Sequence, residues 1–210
     1  EVFTRHATER LIRHAFVRAR ERLEARGADA RHFHCADKGR AGAQVCLITK
    51  RNAQPYWGDM YTEVFAEIAA EFPEIGVHHE LVDAACMKFV QCPWTFDVVV
   101  ASNLHGDILT DLAAVLSGGL GLAPSCNINP DSRAMPALFE PTHGSAPDIA
   151  GQGLANPAAM LLTTALMLDW VGCAQAAERL RQAVAKDLAT TAGQRRTCRD
   201  VTAGVIAALQ

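Results

Sequence analysis

Apolar residues recur along the chain with two different spacings, and the alternation between them predicts an α/β fold. Over residues 4–26 they lie three or four positions apart, as on one face of a helix, and Gly27 follows as a stop. Gln44–Thr49 is a β-type run, and residues 96–101 form the strongest strand candidate, a β-branched run typical of a strand buried on both faces. Strands spaced by helices indicate an α/β architecture with a parallel or mixed sheet flanked by helices.

The remaining predicted elements continue this alternation and are separated by two irregular segments. They are a helix from Pro55 to about Phe72, a strand at 77–82, and helices at 84–91, 106–117, 157–171, 173–192 and 201–209. Residues 27–43 are predicted to be an irregular connection. Residues 118–156 are rich in Gly, Pro, Asn and Ser and show little periodicity. A long segment of this kind in a compact protein usually carries function.

Composition and charge exclude several classes of protein. The chain has 210 residues, of which 50% are hydrophobic and 20% charged, which excludes long disorder, collagen and coiled coil. The formal net charge of −3 gives no electrostatic case for binding nucleic acid or an anionic membrane. The apolar stretches are too short or too interrupted to span a bilayer. Seven scattered cysteines without a CxxC pair predict reduced thiols and a cytoplasmic protein.

A pair of aspartates follows the strongest strand candidate and opens a helix. Asp107 and Asp111 are four residues apart, so both carboxylates project from one helix face, within reach of a common cation. Oxygen ligands favour a hard ion such as Mg²⁺ or Mn²⁺. The alternative is that Asp107 stabilises the helix N-terminus and Asp111 is simply exposed. Spacing alone favours that alternative, because acidic first turns are common.

A second candidate is the loop that runs from Glu140 to Gly151. Its small residues and glycines allow the backbone to approach a bound phosphate or ribose closely. Asp148 can accept hydrogen bonds from a ribose diol and would repel a 2′-phosphate. The chain has no GxGxxG motif, so the common dinucleotide fingerprint is absent.

These two segments together resemble the isocitrate/isopropylmalate dehydrogenase family of metal-dependent β-decarboxylating dehydrogenases. The matching strings are SNLHGDILTD at 102–111, HGSAPDIAG at 143–151 and ANP at 155–157, with weaker matches at TKRN (49–52) and LVD (81–83). The strings APSCNINP (123–130) and LFEP (138–141) look most like the tartrate and D-malate dehydrogenase branch, with isopropylmalate dehydrogenases as the nearest alternative. The pair Asp148-Ile149 resembles the members that use NAD.

The resemblance implies roles for individual residues at the metal site. Asp107 and Asp111 are expected to bind Mg²⁺ or Mn²⁺, and Asp83 to complete that site from the neighbouring subunit. Lys50 is expected to cross the same interface as the proton-transfer group, which implies a homodimer with a shared active site. Without the resemblance, Lys50 is an exposed lysine at a strand end and Asp83 is a helix cap.

The resemblance also implies how the chain holds NAD. Glu140 is expected near the nicotinamide, Asp148 on the ribose and Asn156 by the adenine. The adenosine side is expected to lie along His143, Gly144, Ser145 and Ala146. On this basis residues 1–117 form most of an interface and metal-site domain, and residues 118–210 the C-terminal part of the NAD-binding domain.

Three departures from the family pattern qualify the expected activity, the oxidation and β-decarboxylation of a small 2-hydroxy dicarboxylic acid. Family chains are longer, and their N-terminal segment carries the arginines that grip the substrate, so the chain is expected to be an incomplete isopropylmalate dehydrogenase-like fold. Phe3 stands where many members have a tyrosine that assists protonation. His105 occupies a position that is usually apolar or aromatic, and it is expected to be packed or solvent-facing. An inactive dimerisation or regulatory module is the alternative from another functional class.

Overall fold

The computed structural model describes residues 2–27, 32–35 and 39–210, which form two compact units, Glu1–Leu112 and Ala113–Gln210. In the first unit the elements are α1 (Arg5–Arg26), β1 (Phe33–Cys35), β2 (Gly39–Ala41), β3 (Gln44–Thr49), α2 (Pro55–Ala69), β4 (Gly76–Leu81), α3 (Val82–Gln91), β5 (Val98–Val100) and α4 (Asn103–Leu116). The boundary between the units falls within α4, so the predicted functional division after residue 117 stays a prediction.

A three-stranded parallel sheet with the order β4-β3-β5 lies at the centre of the first unit. All six residues of β3 are buried. Val45 and Leu47 project from one face of β3 into a core formed with apolar side chains of α1 and α2, while α3 contacts β4 and β3. The predicted α/β architecture, with a parallel sheet flanked by helices, is confirmed.

The prediction for residues 96–101 was wrong in two respects. The strand covers only Val98–Val100, and among the described strands it pairs with β3 alone, so Val98 and Val99 are half-buried rather than enclosed on both faces. The two residues before this strand, Phe96 and Asp97, make side-chain contacts with helices instead. Phe96 packs edge-on against Phe89 with ring centroids 4.5 Å apart, and the Asp97 carboxylate is held by arginines of α1. The strand that is buried on both faces is β3.

Two segments predicted to be irregular contain short antiparallel hairpins. β1 and β2 pair within 27–43, although positions 28–31 and 36–38 of that connection lie outside the described residues. In the second unit, β6 (Pro124–Asn127) pairs with β7 (Leu138–Pro141) inside the predicted loop 118–156. Strands of three or four residues rich in Gly and Pro give too little alternation for a periodicity argument to detect them.

The second unit packs three helices around a small apolar core. They are α5 (Ala158–Trp170), α6 (Ala174–Thr190) and α7 (Cys198–Leu209). The core contains Ala165, Leu180, Val184 and Val205. α7 begins at a capping box in which Thr197 and Asp200 bond each other's backbone N–H groups. No helix in the described part of the chain is both long and apolar enough to cross a membrane.

Candidate active site

The carboxyl ends of the three parallel strands bring the predicted metal-site residues to one edge of the sheet. Lys50 directly follows β3, Asp83 is the second residue after β4, and α4 begins three residues after β5. Because parallel strands end at the same edge of a sheet, the segments that carry Lys50, Asp83, Asp107 and Asp111 all leave this edge. In open α/β sheets this is the edge at which ligands bind.

Lys50 and Asp83 form an ion pair at this edge. Lys50 Nζ donates to Asp83 Oδ1 over 2.6 Å, and the two side chains are 29% and 65% exposed. Asp83 lies in the first turn of α3, where no side chain caps the helix. The hydrogen bond from Lys50, followed by backbone N–H groups of that turn, lowers the pKa of Asp83 below its ordinary value. The Asp83 carboxyl is therefore anionic at neutral pH.

Asp107 and Asp111 are both exposed on α4, one helical turn apart. The helix is anchored from its other side by Leu109 and His105, which are buried. Two exposed carboxylates four residues apart fit a hard divalent cation whose other positions are taken by water or substrate. Among the described residues, no His, Cys, Asp or Glu side chain joins them to make a group of three. A cation held here therefore needs further ligands from substrate, water or another chain.

Three histidines of the first unit take structural positions. His105 is buried and packs against Trp57, with ring centroids 5.5 Å apart, which confirms that it is packed. His78 hydrogen-bonds the Glu80 carboxylate, which also accepts a hydrogen bond from Lys88 Nζ. His79 Nε2 instead lies 2.8 Å from Thr49 Oγ1. The two adjacent histidines have different partners, as expected from the alternation of a strand.

Phe3, which stands where many relatives have a tyrosine, belongs to an aromatic cluster. Its ring stacks on Trp57 at 5.0 Å and meets Tyr61 edge-on at 5.9 Å. Tyr61 is itself buried. Phe3 thus contributes packing where a tyrosine would offer a hydroxyl.

The candidate cofactor loop lies in the second unit and is mostly exposed. Glu140 is exposed on β7, opposite Ser125 of β6. Half-buried His143 lies after β7, and its Nδ1 is 2.9 Å from the carbonyl oxygen of Gly144. Gly144 has open space where a Cβ would stand. Ser145 is exposed and follows directly. This stretch offers a ligand both backbone and small polar groups without a covering side chain.

The end of the loop is conformationally constrained. Ala146 has φ of 45°, the one left-handed non-glycine residue in the described ranges, and it leads into a short 3₁₀ turn that carries Asp148. The Asp148 side chain is exposed, and its backbone carbonyl accepts from Gln152. An exposed carboxylate on a constrained turn fits a ribose diol.

Asn156 has a structural role that the sequence did not indicate. Its Oδ1 accepts from the N–H of Ala158 over 3.0 Å, so the side chain closes a turn that leads into α5. Its Cβ also lies 3.1 Å from the point where a side chain on Gly121 would begin. A role by the adenine stays a prediction.

Sequence reasoning missed the polar contacts beneath the Lys50 turn. Thr49 and His79 are bonded across β3 and β4, and nothing in the local pattern of either strand predicts that bond. The bond depends on the register of the two strands. His79 lies opposite Leu47, two residues before Leu81, which is the residue opposite Thr49. One signal was available in the sequence. Thr49 ends an apolar strand, so its hydroxyl is expected to be buried and to need a hydrogen-bond partner.

Comparison with known proteins gives one consistent family. The profile of the family described as isocitrate/isopropylmalate dehydrogenase matches residues 1–205. The chain is 46% identical to the 3-isopropylmalate dehydrogenase of Thermobifida fusca over 187 residues, which is 89% of the chain and 48% of the relative. It is 44% identical to the 3-isopropylmalate dehydrogenase of Nocardia farcinica, covering 90% of the chain and 51% of the relative.

The fold is similar to a solved isocitrate dehydrogenase from Methylococcus capsulatus. The TM-score is 0.83 with 39% identity, and the match covers 100% of this chain and 58% of that one. A solved protein from Thermus thermophilus gives a TM-score of 0.82 with 30% identity, covering 100% of this chain and 40% of that one. The chain spans about half the length of the curated relatives that it matches.

Proposed function

This chain belongs to the isocitrate/isopropylmalate dehydrogenase family, and on that premise we propose that it supplies the metal-site and proton-transfer half of an NAD-dependent oxidative decarboxylase of 2-hydroxy acids. The observation that carries the proposal is the Lys50–Asp83 ion pair of 2.6 Å, at the same sheet edge from which α4 carries Asp107 and Asp111. A lysine and three carboxylates at the ligand-binding edge suit a 2-hydroxy acid that binds a divalent cation.

The favoured substrate is 3-isopropylmalate. Eight relatives that are 42–46% identical to this chain over 187–191 aligned residues are named 3-isopropylmalate dehydrogenase. The strings at 123–130 and 138–141 suggest tartrate or D-malate instead. They contribute the two strands of the β6–β7 hairpin. Because all eight of these relatives are named for 3-isopropylmalate, we rank it above tartrate and D-malate.

The residues divide the chemistry as follows. When bound, NAD⁺ would supply a hydride acceptor and the divalent cation a Lewis acid. Asp107 and Asp111 would hold the cation through their exposed carboxylates. Lys50, as the neutral amine, accepts at Nζ the proton that the substrate's 2-hydroxyl loses on oxidation. Asp83 orients the Lys50 side chain and would contribute its carboxylate to the cation. Asp148 accepts hydrogen bonds from the cofactor ribose.

A shared active site in a homodimer accounts for the separation of Asp83 on α3 from the pair Asp107 and Asp111 on α4. Asp83 is paired with Lys50, and it joins no described group of three ligands within one chain. The helices that carry these aspartates also expose apolar side chains, including Met87 and Val90 on α3 and Leu104 and Ile108 on α4. Exposed apolar side chains next to charged site residues are typical of an interface between protein chains. We propose that Lys50 and Asp83 serve the cation held by Asp107 and Asp111 of a second copy.

The proposal is tested by measuring NADH formation with the protein expressed at the full length that its gene encodes. Mn²⁺ and NAD⁺ are supplied with 3-isopropylmalate, D-malate or tartrate in turn. We expect the highest kcat/KM with 3-isopropylmalate, and a fall in kcat of about 10²-fold or more in Lys50→Met because the proton-transfer group is lost. Lys186→Met, an exposed lysine on α6, is the matched control and should keep the wild-type kcat.

Two results would contradict the proposal in different ways. A preference for tartrate or D-malate overturns the substrate assignment and leaves the oxidation in place. A folded protein that forms no NADH with any of the three acids overturns the activity, and the inactive dimerisation or regulatory module then becomes the better account.

A further inference from the structure

The last residue of β3 has a buried hydroxyl with two polar partners. Thr49 is fully buried. Its Oγ1 lies 2.8 Å from His79 Nε2 on the adjacent strand and accepts the backbone N–H of Arg51 over 3.3 Å. The hydroxyl therefore ties the residues on either side of Lys50 to β4.

The turn that presents Lys50 is also held by its own backbone and by α2. The carbonyl oxygen of Lys50 accepts the N–H groups of Ala53 and Gln54 over 2.9 and 2.8 Å. α2 approaches so closely that a Cβ on Gly58 would stand 2.6 Å from the Cβ of Arg51. That separation is shorter than any side chain tolerates, so glycine is required there. The backbone of Lys50 is thus fixed by Thr49 below it and by α2 beside it.

His79 is suited to hold the Thr49 hydroxyl. Burial first, and then the nearby Arg51 guanidinium, lower the pKa of His79. A neutral imidazole has one donor and one acceptor nitrogen, so Nε2 pairs with a hydroxyl in either tautomer. A threonine hydroxyl that already accepts one N–H retains its own proton and a second lone pair for that contact.

We propose that His79 is a positioning residue for proton transfer, acting through Thr49 to fix the turn that aims Lys50. This inference rests on the proposed function, because the position of Lys50 affects the rate only if Lys50 transfers a proton. The ammonium tip of Lys50 is held by Asp83 and its backbone by the Thr49–His79 bond, so the two contacts together define where Nζ lies. Displacement of a reacting group by about 1 Å can cost about 10²-fold in rate.

The test uses paired variants that differ only in the ability to hydrogen-bond. Thr49→Val is close in shape to threonine and lacks the hydroxyl, whereas Thr49→Ser keeps it. His79→Leu removes the nitrogen, whereas His79→Gln places an amide nitrogen near the position of Nε2. We expect kcat to fall by about 10–100-fold in Thr49→Val and His79→Leu, with KM for the 2-hydroxy acid and NAD⁺ within about twofold.

The conservative variants and one distant threonine complete the design. Thr49→Ser and His79→Gln should restore most of kcat. Thr202→Val removes a hydroxyl that bonds within α7 of the second unit, at the carbonyl oxygen of Cys198, and should behave as wild type. A Thr49→Ser enzyme as slow as Thr49→Val, or a Thr49→Val enzyme as fast as Thr202→Val, would overturn the inference.

A second measurement separates this inference from the proposed activity. The rate at which acetic anhydride acetylates each lysine, followed by mass spectrometry, reports the position of Lys50 without turnover. We expect acetylation of Lys50 to rise several-fold over that of Lys186 in Thr49→Val and to stay unchanged in Thr202→Val. If the wild-type protein proves inactive but Lys50 responds in this way, the proposed function fails, and the Thr49–His79 bond fixes Lys50 without serving proton transfer. If the wild type is active and Lys50 acetylation is unchanged in Thr49→Val, the positioning role fails alone.

Discussion

At the scale of single residues, the buried charge that best explains the arrangement of the first unit is Asp97. Its side chain is fully buried, and it accepts from Arg22, from Arg26 and from the backbone N–H of Gln44. Burial alone would raise the pKa of Asp97, but the hydrogen bonds from Arg26 and then Arg22 outweigh it and hold the pKa below its ordinary value of 3.8. One carboxylate therefore joins the end of α1 to the starts of β3 and β5.

This arrangement predicts an acid-sensitive contribution to stability. A carboxyl whose pKa is lowered by folding stabilises the protein fully above its unfolded pKa, and that contribution is lost as the pH falls below about 3.8. Asp97→Asn should lower the free energy of unfolding by about 2 kcal/mol near neutral pH. The difference from wild type should shrink in denaturant titrations at about pH 3. An equal difference at both pH values would show that Asp97 acts through shape rather than charge.

At the scale of elements, α4 is the part on which the metal site depends. It turns Leu109 and Ala114 inward and keeps Asp107 and Asp111 exposed one turn apart. A helix fixes the spacing of the two carboxylates before a cation binds, so no loop has to become ordered on binding.

Calorimetric titration of Mn²⁺ tests this pair. We expect heat of binding in the wild-type protein and its loss in Asp107→Asn/Asp111→Asn, because two of the proposed ligands lose their charge. The matched control is Glu63→Gln/Glu67→Gln, another exposed acidic pair four residues apart, on α2, where both carboxylates contact Arg5. Equal binding in all three proteins would place the Mn²⁺ site elsewhere.

The elements also show how far the sequence predicts the fold and the site. α1, β3 and the helices of the second unit follow from periodicity because their apolar positions face a core. The strand predicted at residues 96–101 was too long because the whole run has a strand-like pattern. In the structure Asp97 instead bonds arginines of α1, and Phe96 packs on Phe89 of α3. The Lys50–Asp83 contact is consistent with the positions of the two residues after parallel strands. The Thr49–His79 bond required the register, which short strands do not reveal.

At the scale of the whole molecule, the chain carries the family's motifs over about half the length of its relatives. The first unit holds the proposed metal and proton-transfer residues, and the second holds the proposed cofactor loop. The exposed apolar residues of α3 and α4 lie on the same helices as Asp83, Asp107 and Asp111. The proposed active site requires a dimer for activity, because each site would draw on two copies.

Complementation between two inactive variants shows whether two copies share an active site. Lys50→Met and Asp107→Asn/Asp111→Asn are co-expressed at full encoded length with different tags, and the heterodimer is purified through both tags. One of its two sites then combines a wild-type Lys50 with a wild-type aspartate pair. We expect the heterodimer to form NADH at about half of the wild-type rate, although each variant is inactive as a homodimer. A heterodimer no more active than either parent would contradict the shared site.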